Sequence, residues 1–279
     1  MEKWETVIRP KTRLFDLHLL EILQYRSMIY MLVKRNYQIQ YKQTILGPAW
    51  ILIGTILSSG LFSLLFGYVG QFQSDGIPYF LFYMTASILW SFFSGCVGSN
   101  SSIFMENAYL FGKIYFPRMV VPLANMLFQL IRFLIQFILC IIVWLFFYYK
   151  VETEFTGWYL LLLPFLILES GLLGTTLGMI VSSMTTKYRD LSHMMGFGLQ
   201  LLMYAAPVLY PITQLPEVLQ KIVLLNPMAS VIEAFRFCIT GSGSLHLSAL
   251  IYSVIVTGIC VLGSMILFNQ TEKTFIDIV

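Results

Sequence analysis

Long apolar stretches alternate with short polar ones along most of this chain, and this alternation predicts its architecture. Six stretches each hold about the 20 mostly apolar residues that an α-helix needs to cross a bilayer. They cover residues 47–69, 79–99, 120–147, 158–183, 191–210 and 246–268. Strands would be much shorter, and in lipid a helix satisfies its backbone hydrogen bonds within a single segment. The pattern therefore predicts an all-α integral membrane protein with six transmembrane helices.

Residues 207–245 are also apolar, but four prolines divide them into pieces that are too short to span a bilayer. The two helical pieces, 217–225 and 228–240, also carry charged residues. Apolar segments of about 10–14 residues are typical of re-entrant or interfacial helices. We therefore predict a two-helix re-entrant segment at the external face, before the last span.

Before the first span, apolar residues recur at helical spacing between basic ones, beginning with Phe15, Leu19 and Ile22. This pattern is typical of an amphipathic helix that lies on a membrane surface. An ordinary cytoplasmic helix that packs on a partner is the alternative. The chain is thus predicted to have three parts: a cytoplasmic and interfacial N-terminal segment (1–46), a transmembrane domain (47–268) and a cytoplasmic tail (269–279).

Composition agrees with a membrane protein and also predicts its orientation. Hydrophobic residues make up 58% of the 279 positions and charged residues 11%, whereas soluble domains carry about 25% charged residues. Lysine and arginine in short connections are retained in the cytoplasm. Thirteen of them lie in the N-terminal segment, the tail and the loops after the second and fourth spans, against three in the opposite connections. Both termini are therefore predicted to be cytoplasmic.

The sequence carries none of the common motifs of an enzyme. It has no G-x-x-x-x-G-K-[ST] loop, its three histidines are scattered, and its four cysteines have no metal-binding spacing. We therefore expect no catalytic residue, no metal site and no cofactor in this chain, and no binding of nucleic acid. A membrane glycosyltransferase or acyltransferase is the alternative from a different class. It would need acidic or histidine residues clustered at a membrane face.

The third span carries a polar stripe on one helical face: Asn125, Gln129, Arg132 and Gln136. Glu169 lies at a similar predicted depth in the fourth span. An unpaired arginine at the bilayer centre costs about 2.5–3.5 kcal/mol on insertion scales. We predict that Arg132 and Glu169 form an intramembrane pair, directly or through the neighbouring amides. Such a pair would either hold helices together or form part of the wall of a transport path.

Two spans carry stripes that mix aromatic and hydrogen-bonding side chains, a combination that suits sugars, whose rings have apolar faces and hydroxyl edges. In the first span the stripe consists of Thr55, Ser59, Phe62, Ser63 and Phe66, and in the fifth of His193, Phe197, Gln200 and Tyr204. We interpret both stripes as the candidate lining of a conduit for substrate. Ordinary helix packing is the alternative.

Small residues form stripes of their own in the second and fourth spans. In the fourth span, Gly174 and Gly178 form a G-x-x-x-G pattern, which lets two helices approach closely. We predict that this stripe is a packing contact and needs no role in transport.

Seven short motifs are arranged along this six-span plan in a distinctive order. They are Y-K-Q-T-I-L-G-P-A-W at 41–50, K-I-Y-F-P-R at 113–118, R-D at 189–190, P-V-L-Y-P at 207–211, L-N-P at 225–227, E-A-F-R at 233–236 and F-I-D at 275–277. Their order and spacing resemble the transmembrane subunits of ABC-2 exporters, in particular the polysaccharide permeases that export O-antigen, teichoic acid or capsule. The resemblance runs from about residue 30 to the end of the chain.

This resemblance implies a homodimeric channel in the bacterial plasma (inner) membrane. Each copy would bind an ATP-binding cassette subunit, which holds ATP and magnesium and supplies the energy. The cargo would be a lipid-linked polysaccharide of the O-antigen type, with an exporter of a drug, a peptide or a simple lipid as the alternative. A solitary channel is disfavoured, because the amphipathic segments suit a soluble partner.

The resemblance also assigns candidate roles to individual segments. Residues 30–42 resemble the gate region where the lipid pyrophosphate enters, and residues 106–116 resemble the coupling helix that is seated on the ATP-hydrolysing partner. Candidate phosphate contacts are Lys34, Arg35 and Lys42, for which simple anchoring at the inner surface is the alternative. Candidate coupling residues are Glu106, Tyr109, Leu110, Lys113, Phe116 and Arg118.

Overall fold

A computed structural model describes residues 24–113, 116–148, 157–188 and 190–276, and it is built from helices. The helices are, in chain order, α1 (Arg26–Tyr41), α2 (Ala49–Phe62), α3 (Tyr79–Asn100), α4 (Ile103–Glu106), α5 (Ala108–Lys113), α6 (Val120–Tyr148), α7 (Leu163–Thr185), α8 (Leu191–Tyr204), α9 (Glu217–Leu224), α10 (Pro227–Thr240) and α11 (Leu247–Ile276). A π-helix (Ser63–Val69) extends α2, and 3₁₀-helices precede α7 (Gly157–Leu162) and α9 (Ile212–Gln214). No strand occurs in these ranges, so the predicted all-α fold class is confirmed.

Five helical segments within the described residues are long and apolar enough to cross a bilayer. They are Ala49–Val69, Tyr79–Asn100, Val120–Phe147, Gly157–Thr185 and Leu247–Thr271. These segments match the predicted first, second, third, fourth and sixth spans. The chain is therefore a multi-pass membrane protein. Helix α11 continues to Ile276, so most of the tail predicted to begin at residue 269 extends the last helix.

The fifth predicted span (191–210) is shorter in the structure than in the sequence-based prediction. Helix α8 ends at Tyr204 after 14 residues, a length of about 21 Å at a rise of about 1.5 Å per residue. This falls short of the roughly 30 Å thickness of the hydrocarbon core. Pro207 and Pro211 follow, and proline drives the residue before it out of the helical conformation. The predicted boundary at residue 210 is wrong for this reason.

Helices α9 and α10 form the bent pair that the prolines predict, and their axes meet at 102°. The Asn226 side chain caps α10 by accepting a hydrogen bond from the Met228 backbone N–H at 3.1 Å. Pro227 occupies the first turn of α10, where no backbone donor is required. Helix α9, all of which is described, has no buried residue, whereas α10 is almost entirely buried. The predicted break is confirmed, and its location at the external face stays a prediction.

Helix α3 is the central helix of the bundle, since α2, α6, α7 and α10 all pack against it. The contact with α7 is especially close. A Cβ atom built on Gly174 would come within 2.7 Å of the Phe93 carbonyl oxygen, and one built on Gly178 within 2.7 Å of the Val97 carbonyl oxygen. Only glycine allows the two backbones to approach this closely, so the predicted packing role of the G-x-x-x-G pattern is confirmed.

Substituting Gly174 by alanine is expected to destabilise the fold by about 1–3 kcal/mol, because the new methyl group meets backbone atoms that cannot move aside. Chemical denaturation of the purified protein in detergent measures the effect. Gly196→Ala on α8 is the matched control, since a Cβ atom built there has no neighbour within 4 Å. Equal denaturation midpoints for the two variants would contradict the close α3–α7 contact.

Helix α1 packs along α6 with one face and leaves its other face exposed. Leu32 belongs to the same buried cluster as Val121, and the Asn36 side chain donates a hydrogen bond to Asn125 Oδ1 at 2.9 Å. The described part of the predicted amphipathic segment is therefore held against the bundle. The earlier part of its apolar stripe lies outside the described residues: Phe15, Leu19 and Ile22.

Candidate functional site

The three basic residues predicted to meet phosphate groups are exposed on and just after α1. Arg35 donates a hydrogen bond from Nη2 to Asn107 Oδ1 at 3.1 Å, which connects α1 to the short helices α4 and α5. Lys34 precedes it on the helix, and Lys42 follows the last helical residue in an extended conformation. All three side chains are accessible to a charged head group, and their role in binding phosphate stays a prediction.

The segment that resembles a coupling helix (106–116) contains a break instead of forming one continuous helix. Helices α4 and α5 meet at Asn107, which has a non-helical conformation and is buried. Glu106 is exposed, the Tyr109 side chain is 74% exposed, and Leu110 is partly buried. The side chain of Lys113 lies outside the described part of the chain. Glu106 and Tyr109 thus lie where a soluble partner could contact them.

Phe116 and Arg118 occupy a different position from the other predicted coupling residues, because both are buried. The rings of Phe116 and Phe111 have centroids 5.8 Å apart, and the Arg118 guanidinium carbon lies 5.1 Å from the centroid of the Phe111 ring. The prediction that these two side chains contact a partner is wrong. They pack inside the protein and hold α5 against the start of α6.

The predicted conduit stripe of the first span faces the interior of the protein. Thr55, Ser59 and Ser63 are buried. The Thr55 hydroxyl oxygen accepts a hydrogen bond from Gln136 Nε2 at 2.9 Å, which ties α2 to α6. This polar part of the stripe holds helices together, as expected for hydroxyl and amide groups between transmembrane helices.

The aromatic members of the same stripe also pack internally. The rings of Phe62 and Phe66 lie against Tyr83 of α3, with centroid distances of 6.4 and 6.3 Å. Spacing along α2 places all of these residues on one face, but that face is the one turned toward α3. In the chain by itself this arrangement agrees with the packing alternative, and the interpretation of the first-span stripe as conduit lining stays a prediction.

The stripe of the fifth span lies on an exposed face of α8. Phe197 is 64% exposed, Tyr204 is 50% exposed, and Gln200 between them is also exposed. Their spacing of three and four residues puts them on one side of the helix. The side chain of His193 lies outside the described part. This face is open to lipid, to a second copy of the chain or to a passage between copies, so the predicted lining role stays a prediction.

The predicted pair between Arg132 and Glu169 is not formed, since each side chain has a different partner. Arg132 Nη1 donates a hydrogen bond to Gln129 Oε1 at 3.0 Å on the same helix. Glu169 accepts a hydrogen bond from the Ser253 hydroxyl of α11, which also lies 3.1 Å from the Pro227 carbonyl oxygen. Similar depth along two helices does not make two side chains face each other, and here they point to different neighbours.

A buried ion pair on α10 is a feature that the sequence-based prediction missed. Arg236 Nη1 lies 2.9 Å from Glu233 Oε2, and the two side chains are only 0% and 2% exposed. Arg236 Nη2 also donates a hydrogen bond to the Pro207 carbonyl oxygen at 2.8 Å. The guanidinium carbon lies 3.7 Å from the centroid of the Phe82 ring. One side chain therefore connects α10, the segment after α8, and α3.

The sequence did contain a signal for this pair. Glu233 and Arg236 are three residues apart, which places opposite charges on adjacent positions of one helix face. The surrounding segment is apolar, and charged residues in such segments are usually paired with one another. By their spacing, the charges at 233 and 236 indicate an internal pair as well as a helix that does not span the bilayer.

Comparison with known proteins places this geometry in a family context. A family model described as ABC-2 type transporter matches residues 28–240. The chain is 27% identical over 256 residues to an O-antigen export system permease protein RfbA of Klebsiella pneumoniae, covering 90% of this chain and 95% of that protein. A second Klebsiella pneumoniae protein of the same description is 26% identical over 255 residues. One of Myxococcus xanthus is 27% identical over 219 residues, which cover 77% of this chain and 81% of that protein.

Proposed function

Since this chain belongs to the ABC-2 type transporter family, we propose that it is the membrane subunit of an ATP-driven exporter that moves a lipid-linked polysaccharide of the O-antigen type across the bacterial plasma membrane. The observation that carries this proposal is the alignment with O-antigen export permeases along 90% of the chain. Two copies form the passage, and each binds an ATP-binding cassette subunit. The chain itself has no catalytic role in this scheme.

Three exposed surfaces support these separate roles. The exposed residues of α1, Lys34 and Arg35, are suited to meet the phosphate groups of a lipid carrier, because cations bind phosphate through charge-assisted hydrogen bonds. Glu106 and Tyr109 on α4 and α5 offer a mixed polar and aromatic contact to the ATP-hydrolysing subunit. The exposed face of α8 offers aromatic and amide groups to a sugar chain that passes between two copies.

Deletion of the gene in its host, followed by complementation, tests the function. We expect the deleted strain to lose its surface polysaccharide and to accumulate the same glycan on its lipid carrier inside the cell, and the intact chain should reverse both changes. Loss of teichoic acid or capsule in place of O-antigen would reassign the cargo within polysaccharide export. Normal surface glycans together with sensitivity to a drug would reject the polysaccharide proposal in favour of a different exporter.

Tyr109→Ala is expected to reduce the amount of ATP-binding cassette subunit that co-purifies with the chain by about tenfold. Exposed aromatic residues that enter an interface commonly contribute 2 kcal/mol or more, in round numbers, to binding. Affinity purification from detergent followed by quantitative mass spectrometry measures the ratio of the two subunits. Tyr68→Ala is the matched control, because Tyr68 is 72% exposed but lies in the π-helix at the far end of the first span. Equal recovery of the subunit with both variants would exclude Tyr109 from the coupling surface.

A further inference from the structure

A polar cavity with a volume of about 240 Å³ lies between α2, α3 and α6. All three helices are spanning segments, so the cavity lies in the membrane part of the protein. Its polar lining consists of Thr55, Ser58, Ser87, Ser91, Arg132 and Gln136. An apolar occupant offers no hydrogen bonds to hydroxyl, amide and guanidinium groups, so its binding against them costs free energy. A lipid tail therefore does not match this lining, whereas a polar ligand does.

Two hydrogen-bond donors at this cavity have no acceptor among the described residues. The Arg132 Nε atom and the Ser87 hydroxyl are both buried and lack a hydrogen-bond partner there. The Tyr41 hydroxyl at the end of α1 lies close to Arg132. Burial raises the Tyr41 pKa, and the charge and hydrogen-bonding of the Arg132 guanidinium oppose that rise.

The charge of Arg132 is also uncompensated within the described part of the chain. Arg132 Nη1 donates to the neutral amide of Gln129, and Glu169 accepts a hydrogen bond from Ser253 of α11. The buried ion pair among the described residues joins Glu233 and Arg236 and does not include Arg132. A cationic side chain inside a membrane protein usually faces a counter-charge or marks the path of a ligand. The cavity thus presents one positive charge and two unpaired donors, Arg132 Nε and the Ser87 hydroxyl, to an occupant that supplies negative oxygens.

We propose that this cavity binds the phosphate oxygens of a lipid-borne head group, with Arg132 as the principal contact. The planar guanidinium matches two oxygens of a phosphate at once, and the Ser87 hydroxyl, which has no hydrogen-bond partner among the described residues, can donate to a third. The volume is several times the roughly 30 Å³ of one water molecule in the liquid, so a phosphate group has room there. The inference rests on the proposed function insofar as it assigns the head group to a transported lipid.

The position of the cavity gives it a place in the path of such a head group. Lys34 and Arg35 lie on α1, and Tyr41 at the end of the same helix lies beside Arg132. A phosphate that moves along α1 toward the bundle therefore meets exposed basic side chains first and the guanidinium of Arg132 afterwards. The uncompensated arginine would hold the head group between the membrane surface and the interior of the protein.

The proposal is tested by the binding of a fluorescent polyprenyl diphosphate to the full-length protein. The protein is purified with any co-purifying subunits and placed in nanodiscs of phosphatidylcholine, a zwitterionic lipid with no net charge. The same polyprenol without phosphate serves as the uncharged probe. We expect the diphosphate to bind the wild-type protein at least tenfold more tightly than the polyprenol does. Equal affinity for the two probes would overturn the proposal, because the cavity would then not recognise phosphate.

Two variants assign the binding to the cavity. Arg132→Gln removes the charge, and Gly54→Leu adds a side chain into the cavity while leaving Arg132 in place, since a Cβ atom on Gly54 has no neighbour within 4 Å. Each variant is expected to lower diphosphate affinity at least tenfold. If Arg132→Gln fails to fold, Gly54→Leu still decides the matter. The matched controls are Arg26→Gln, which removes an exposed arginine from α1, and Gly258→Leu, whose Cβ atom on α11 also has open space.

Competition with unlabelled lipids identifies the source of the head group. If only polyprenyl diphosphate displaces the probe, the ligand is the carrier of the transported glycan; if phosphatidylglycerol competes equally, it is a bilayer phospholipid. Unchanged affinity in both Arg132→Gln and Gly54→Leu would overturn the phosphate site. This outcome is separable from a failure of the export proposal, which is measured in cells as surface polysaccharide. If the deleted strain has normal surface glycans but the purified protein binds phosphate through Arg132, the phosphate site is supported and the proposed cargo is rejected.

Discussion

Replacing Arg236 alone by methionine is expected to destabilise the protein by about 3–5 kcal/mol, because the Glu233 carboxylate would remain buried without its counter-charge. The same change removes the hydrogen bond to the Pro207 carbonyl and the contact with the Phe82 ring. Loss of these contacts releases α10 from both α3 and the segment after α8. The fraction of protein that remains monodisperse in detergent after heating, measured by size-exclusion chromatography, should fall sharply.

The double variant Glu233→Leu/Arg236→Met separates loss of the pair from loss of packing. Replacement of a buried ion pair by apolar residues of similar volume is often neutral or even stabilising, so the double variant should recover most of the stability. Lys221→Met on the exposed helix α9 is the control for removal of a positive charge and should have little effect. A double variant that is as unstable as the sum of its single changes would show that the pair is not the source of the effect.

Replacing Phe197 and Tyr204 together by alanine is expected to reduce polysaccharide export by about tenfold or more. On the proposed function, the two rings on the exposed face of α8 contact the sugar chain, and a loss of about 1.4 kcal/mol corresponds to one factor of ten. Export is measured as the rate at which newly made surface polysaccharide appears after induction of the variant. Assembly is measured in parallel, as the amount of protein in the membrane and of co-purifying ATP-binding cassette subunit.

The matched control for this change is Phe165→Ala together with Tyr252→Ala. Both residues are exposed aromatic side chains on other spanning helices, α7 and α11. Removal of apolar surface from the lipid-facing side should affect the two double variants equally, whereas a sugar-binding role affects only the α8 variant. Equal export by the two double variants, with assembly intact, would remove Phe197 and Tyr204 from the passage.

The polar residues show where inference from the sequence stopped. Spacing correctly placed Thr55, Ser59 and Phe62 on one face of α2, and Phe197 with Tyr204 on one face of α8. It could not indicate that the first face packs against α3 while the second remains exposed. The rotation of each helix about its axis depends on side chains of other helices, and a single helix pattern contains no information about them.

For charged residues within the apolar segments, too, the sequence predicted neighbours within one helix better than contacts between helices. Arg132 and Glu169 were matched by depth, yet they point to different neighbours, whereas Glu233 and Arg236 pair because they are adjacent on one helix. Local spacing is reliable for contacts within a helix, since helical geometry fixes which residues are neighbours. Contacts between helices depend on how the two helices are rotated and shifted relative to each other. The depth of a residue in the membrane does not define either quantity.

The sequence by itself determined that this protein lies in a bilayer, and it determined the order of its long helices. In lipid, the backbone hydrogen bonds have to be made within each apolar segment, which favours helices. Prolines mark where those helices end or bend. The tertiary structure alone decided which stripes are buried, how α1 rests on α6, and that Arg132 faces a cavity instead of a carboxylate. Those features arise from close packing among helices that are distant in the sequence, such as the contact of Gly174 with Phe93, and packing is a property of surfaces that exist only after the helices have assembled.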